Sequence, residues 1–345
     1  MNVENNTAVG IAVNAFRSTW LPVPGRYQRG TDPAPSQTLQ RRPWEKDIRT
    51  IVVLLDGSAH AEHALPHALA IARKSGASLR LVRVYSHLDD IDPWQLSQAS
   101  ASLNSSKYEK KDYLARIARK IDRIDGLQPE TVLIDSFNTV DALVNGAAGS
   151  DLVVIGSRRR RFASRLWWNN TVDQLRRRLS IPLLLTSGYL APVDLTANPR
   201  SSRILLPLNG SLLGQGVLDS AAQLSRYSGG SLTLLNVQNE QWSLGLFDHT
   251  NPRSYLLSVS QQLHEQGIAA EAQIFTTSRD PGQAIATYAV SHDVDLIAIA
   301  TRGDGGLSRL VRGSVADYLL RHTKIPVLLQ NIPDAAKRPE LTRVS

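Results

Sequence analysis

Arg49–Ser58 reads R-T-I-V-V-L-L-D-G-S, and Ser202–Ser211 reads S-R-I-L-L-P-L-N-G-S. An apolar run such as Ile51–Leu55, β-branched at its start and closed by a turn signal, suits a strand buried on both faces, as parallel sheets require. Superposing the two runs places Asp56 opposite Asn209, an offset of 153 (209 − 56). The same offset aligns Leu79–Val84 (L-R-L-V-R-V) with Leu232–Val237 (L-T-L-L-N-V). It then settles at 144 (295 − 151), pairing Asp151-Leu152 with Asp295-Leu296 and Ile181-Pro182 with Ile325-Pro326. A repeat this long can hold a complete core, so the chain reads as two fused copies of one domain and not as a solenoid of short units.

Working outward, Ser58 is a candidate N-cap for a helix running to Ser75, with Gly76 as its stop. Further strands are expected at Leu79–Tyr85, Thr131–Asp135, Leu152–Ile155 and Pro182–Thr186, separated by helical stretches. Repeat 2 gives the same order, with strands at Ile204–Leu208, Leu232–Val237, Ala272–Phe275, Leu296–Ala300 and Val327–Gln330. This alternation predicts an α/β protein: two tandem doubly wound, mostly parallel five-stranded sheets with helices on both faces. The expected organisation is a flexible extension over 1–47, repeat 1 over 48–188, a linker over 189–202 with few buried-type positions, repeat 2 over 203–331, and a polar tail over 332–345.

Composition narrows the function classes. The chain has 42% apolar and 20% charged residues and no cysteine, which removes disulfides, thiolate catalysis and cysteine-ligated metals. No apolar run approaches a membrane span, and the first residues are polar, so neither membrane insertion nor a secretory signal is expected; the expected location is cytoplasmic. The net charge of +8 suits anionic partners without choosing among them.

In open parallel sheets, ligands bind beyond the carboxyl ends of the strands, where strand order reverses. After the fourth strand of repeat 2 comes A-T-R-G-D-G-G-L-S-R-L-V-R-G-S-V, Ala300–Val315. Its glycines would let backbone amides turn toward a phosphate, and Gly313-Ser314 would open a helix whose N-terminus favours an anion. Arg302, Arg309 and Arg312 could add charge.

The frame L-L-P-L-N-G-S, L-N-V, this loop and I-P-V-L-L resembles the universal stress protein family, over both repeats. The resemblance implies an adenine nucleotide alpha hydrolase-like fold and the signature G-x2-G-x9-G-[ST], with an Asp ending the first strand and a Val ending the second. Gly303, Gly313 and Ser314 match; Ala300 stands for the first glycine and Asn209 for the acid. Pro207, Val237 and Val315 take the remaining positions around base and phosphates. ATP, with Mg2+, is therefore the implied cofactor, in repeat 2 only. Repeat 1 keeps Asp56, Val84 and Gly156, but Arg159 replaces the second glycine and Asn169-Asn170 replaces Gly-Ser, so no nucleotide site of the family type is expected there.

Other features read more simply. The run Arg158–Arg161 suits a solvated loop better than a nucleic-acid contact, since no recognised nucleic-acid module accompanies it. His60, His63 and His67 fall on one side of the first helix, expected to face solvent beside Lys74 without holding a metal. Asp89, Asp90 and Asp92 read as a solvated loop.

No G-x4-G-K-[ST] loop, G-x-S-x-G elbow or S-G-G-x-D-S loop is present, and Asp304 is the only acid near the candidate loop, so no catalytic residue is assigned. The expectation is a stress-response or signalling module that binds nucleotide without efficient turnover. Two alternatives stay open: an interaction protein with both sites lapsed, acting through a basic surface bearing Trp167-Trp168, and a weak ATPase. The family's pairing through last strands implies an intramolecular pseudo-dimer. Association of two chains into a homodimer is left open.

Overall fold

The computed structural model describes residues 47–85, 99–158, 165–188, 191–210, 216–239, 251–302 and 314–332. The N-terminal extension, the Asp89–Asp92 cluster, Arg159–Arg161, the Gly303–Gly313 loop and the C-terminal tail lie outside the described residues.

Repeat 1 comprises β1 (Thr50–Leu54), α1 (Ala59–Glu62), α2 (Leu65–Ser75), β2 (Ser78–Tyr85), α3 (Ala99–Asp125), β3 (Glu130–Asp135), α4 (Thr139–Gly146), β4 (Leu152–Arg158), α5 (Arg165–Arg178) and β5 (Leu183–Gly188). Repeat 2 comprises β6 (Arg203–Pro207), α6 (Leu218–Ser228), β7 (Ser231–Asn239), α7 (Pro252–Glu265), β8 (Ala269–Thr277), α8 (Pro281–Ser291), β9 (Leu296–Arg302), α9 (Ser314–His322) and β10 (Val327–Ile332).

The two expected sheets are halves of one ten-stranded sheet, ordered β3-β2-β1-β4-β5-β10-β9-β6-β7-β8. Every neighbouring pair is parallel except β5–β10, which is antiparallel. There Val327 faces Leu185, Leu328 faces Leu184 and Leu329 faces Leu183. Leu184 and Leu328 are equivalent positions at the offset of 144 (328 − 184), and the flanking pairs exchange roles. The junction is therefore isologous within a single chain, with its pseudo-twofold axis through this leucine pair.

Alternation along the strands feeds two cores. Ile51, Val53, Leu81, Leu184, Ile204, Leu206 and Leu328 point to one face, covered by α2, α3, α6 and α7. Val52, Val153, Leu185, Leu205, Ile297 and Leu329 point to the other, covered by α4, α5, α8 and α9. Each core runs from one repeat into the other, and α2 packs directly on α6. Polar bonds reinforce the seam: Ser187 Oγ donates to Lys324 O at 3.3 Å, and Asn331 Nδ2 donates to Arg177 O at 2.7 Å.

Two expectations are corrected. The first helix is broken: Ser58 does cap it, accepting from Ala61 N, but α1 stops at Glu62 and α2 starts at Leu65. Pro66 is the cause, because it has no N–H for the Glu62 carbonyl and its ring occupies that space. Gly76 then closes α2 at φ 72°, as Gly229 closes α6 at φ 64°. The linker, expected to bury little, buries Leu195 in the first core, and Arg73 ties it down by donating to Leu195 O while pairing with Asp125.

One device occurs in both repeats. Asp151 Oδ2 accepts from the Arg49 and Thr50 amides, and Asp295 Oδ2 accepts from the Ser202 and Arg203 amides and the Ser202 hydroxyl. Each carboxylate locks the start of the first strand of its repeat to the start of the fourth. Asp295→Ala is expected to cost about 1–3 kcal/mol, read as a lower urea midpoint at unchanged slope.

Candidate functional site

Strand order reverses between β1 and β4 in repeat 1 and between β6 and β9 in repeat 2. These are the two places where the sheet can admit a ligand. They are built differently.

In repeat 1, β1 and β4 stay paired through Leu54↔Ile155. In repeat 2 the pairing ends at Leu205↔Ile297, two positions earlier in the repeat frame. Pro207 supplies the reason. It occupies the place of Leu54, and since Leu208 N donates to Leu235 O on β7, the backbone at Pro207 faces β9. Proline has no N–H to continue that ladder, so β6 and β9 part at their carboxyl ends.

The repeat 1 switch point is filled by its own chain. A methyl at Gly156 would collide with the carbonyl oxygens of His60 and Ala61, and one at Gly188 with that of His60. Both glycines thus serve to seat α1 backbone directly on β4 and β5. At the other side of the cleft, Arg83 brings its guanidinium to within 2.7 Å of where a Gly57 side chain would begin, and Gly57 itself has φ 88°. The same guanidinium lies 4.9 Å from the Tyr113 ring centroid. Burial pushes the Tyr113 phenol above its ordinary value, and the neighbouring Glu62 carboxylate adds to that. Asp56 is exposed and accepts from Ser58 N at 2.8 Å, and Val84 is half-buried. Asn169 and Asn170 lie on α5, and Arg159 falls outside the described residues.

Repeat 2 lacks the arginine plug among its described residues. Asn236 occupies the position of Arg83 and is buried, its Nδ2 donating to Leu208 O at 2.8 Å. Over Gly210, at φ 80°, no described atom lies within 4 Å of where a side chain would begin. Ala300 and Ile332 hold the positions of Gly156 and Gly188, so each places a side chain where repeat 1 has bare backbone. Pro207, Asn209, Val237 and Ala300 stand at the carboxyl ends of the adjacent strands β7, β6 and β9, with Asn209 exposed and the others half-buried. Ser314 begins α9, and Val315 packs on the second core. Gly303 and Gly313 lie outside the described residues.

The exchange of Arg83 for Asn236 is readable at the offset of 153 (236 − 83), within L-R-L-V-R-V and L-T-L-L-N-V. Pattern reading missed it because both residues look like ordinary polar positions on a strand. Only the path of the guanidinium across Gly57 gives the difference meaning.

The histidines also depart from expectation. His60 is buried, His63 Nε2 meets Ala191 O at 3.1 Å, and His67 lines a cavity of about 20 Å³ with Leu184, Pro199, Arg200, Leu224 and Asp295. The break at Pro66 rotates them off the single face that an unbroken helix would give. Burial, with His63 beside it, lowers His67 from 6.5 to about 4.

The tandem α/β fold agrees with the comparisons. The universal stress protein family matches residues 47–187 and 201–330. The chain belongs to that family. A universal stress protein of Synechocystis is 35% identical over 80 residues, 23% of this chain; the chain spans only 51% of that relative. A second Synechocystis universal stress protein is 20% identical over 303 residues, 81% of this chain and 99% of the relative. Among solved structures, a universal stress protein from Archaeoglobus fulgidus shares the fold at TM-score 0.63 and 16% identity, covering 82% of this chain and 98% of its own. One from Pseudomonas aeruginosa does so at TM-score 0.52 and 18% identity, covering 82% and 93%. Among the described residues, no helix of this universal stress protein is long and apolar enough to cross a membrane.

Two outcomes follow for repeat 1. Gly156→Ala should force α1 off β4 at a cost of about 1–3 kcal/mol, seen as a lower thermal midpoint. His67 stays neutral in the fold, so the unfolded chain binds more protons between its two pKa values; stability is full above pH 6.5 and declines as pH falls toward 4. His67→Gln should flatten that decline in urea titrations across this range, by up to about 3 kcal/mol.

Proposed function

We propose that this tandem universal stress protein is a stress-response or signalling module that binds one adenine nucleotide, ATP with Mg2+, at the switch point of repeat 2. Repeat 1 serves as a closed structural partner. The observation that carries this reading is the exchange of Arg83 for Asn236. A guanidinium crosses Gly57 in one repeat, while a short amide leaves Gly210 uncovered in the other.

The residues present fit a nucleotide better than a free metal ion. Pro207, Asn209, Val237 and Ala300 offer an amide, apolar contacts and backbone, with no carboxylate among them. Mg2+ would therefore arrive held by the phosphates, its usual arrangement when few protein oxygens are offered. Asn209 can present its side-chain oxygen or its amide to a sugar or base, without the charge that an Asp would set against phosphate. Val237 and Val315 give apolar surface against which a base can lie. Asp304 is the one acid in the loop sequence and has no assigned partner to activate a water, so the proposed role is binding without efficient turnover.

Isothermal titration of nucleotide-stripped protein with ATP and Mg2+ tests the reading. Saturable binding at about one per chain is expected, and Asn236→Arg or Gly313→Arg should weaken it by at least about tenfold. Binding that survives Asn236→Arg but disappears in a repeat 1 variant such as Asp56→Ala would overturn the assignment. No heat at millimolar ATP would leave the interaction-protein reading in its place.

A further inference from the structure

α3 differs from its counterpart in a way that the nucleotide reading does not use. It spans 27 residues, where α7 spans 14. Its inner face is apolar, with Tyr113, Leu114, Ile117 and Ile121 buried in the first core. Its outer face carries a groove of about 230 Å³ lined by Arg116, Arg119, Lys120 and Arg123 alone. Asp112 is shared between Arg116 at 3.2 Å and Arg119 at 3.5 Å. Among the described residues, Lys120 and Arg123 have no carboxylate partner. On α7 the described basic residues are Arg253 and His264, with no comparable stripe.

From the structure we infer that this face of α3 is a binding surface for the phosphodiester backbone of single-stranded nucleic acid. Four cations line the groove and Asp112 pairs with only two of them, so an anionic partner lowers their mutual repulsion. Guanidinium forks match phosphate oxygens bidentately, and three of the four cations are arginines. A stable protein interface or an inserted amphipathic helix is built around an apolar centre, and the four groove residues supply none. Tyr108 stands 72% exposed on the same helical face, one turn before Asp112. It gives a flat ring at one end of the cationic track, the pairing of stacking platform and positive groove used for sequence-tolerant single-strand binding. From Tyr108 to Arg123 the track runs about 22 Å at 1.5 Å per residue. This surface lies on repeat 1 and is independent of the repeat 2 switch point.

The test is fluorescence anisotropy of a labelled oligo(dT) of about 12 nucleotides titrated with the full chain at several salt concentrations. Saturable binding is expected, with a log–log salt slope between about −2 and −3, the value for three or four neutralised phosphates on a single strand. The double variant Arg119→Glu/Arg123→Glu should weaken binding by about tenfold or more while circular dichroism and ATP titration stay unchanged, since both side chains are exposed. Tyr108→Ala should weaken oligonucleotide binding and leave binding of inorganic polyphosphate unaltered. Equal affinity for polyglutamate, loss of binding through Arg159→Glu/Arg160→Glu with the α3 variant unaffected, or no binding at low salt would each overturn the inference. Indifference of oligonucleotide binding to Tyr108→Ala would reassign the groove to polyphosphate chains.

Discussion

The antiparallel pairing of β5 with β10, centred on Leu184 and Leu328, is the constraint on which the remaining architecture depends. Each repeat ends its sheet with a strand whose outer edge is unpaired, and a bare, apolar edge is an invitation to association. Joining the two edges completes the ladder and makes both helical layers continuous, so each core is larger than one repeat could supply. Because the partners are one chain, the pairing carries no concentration-dependent association cost. The linker is not a passive tether: Leu195 is buried in the first core, and Arg73 holds its backbone beside α2.

Fusion also removes a restriction that symmetry imposes. In a homodimer with an isologous interface, both switch points must have the same residues. Here each evolves its own. Repeat 1 uses Gly156 and Gly188 to seat α1 on the sheet, a contact that any side chain at either position would prevent, and Arg83 closes the remaining side against Tyr113. These features are interdependent: without α1 the glycines would be weak points in strands, and without Arg83 the Tyr113 ring would lose the cation 4.9 Å from its centroid.

Much of this architecture is legible in the residues themselves. Ile51–Leu55 and Ile204–Leu208 announce buried parallel strands, the offsets pair the repeats, and Gly76 and Gly229 mark helix ends that have positive φ. What escapes is information that lives in three dimensions. Pro66 breaks a helix whose apolar spacing looks unbroken, because periodicity reports which face is buried and not whether the carbonyl four residues back has a donor. Pro207 reads as a family position, yet its effect on β9 depends on which side of β6 its backbone faces. The roles of Arg83 and Asn236 are hidden for the same reason, since a side chain's reach across a glycine has no sequence pattern.

The carboxyl end of β6 shows how an opening can be made without abandoning a buried polar group. Parting β6 from β9 at Pro207 removes a ladder bond, but a proline never had the donor, so no buried N–H is left without a partner there. The next carbonyl, Leu208 O, would be more exposed to that cost, because its strand has ended. Asn236 answers it with a 2.8 Å side-chain hydrogen bond from its Nδ2, while the backbone amide of Leu208 still donates to Leu235 O. A longer side chain at 236 could satisfy the same carbonyl only by lying across the cleft, as Arg83 lies across Gly57. Asparagine is long enough to reach the carbonyl and too short to lie across Gly210 as Arg83 lies across Gly57, so one substitution pairs the strand end without covering the glycine.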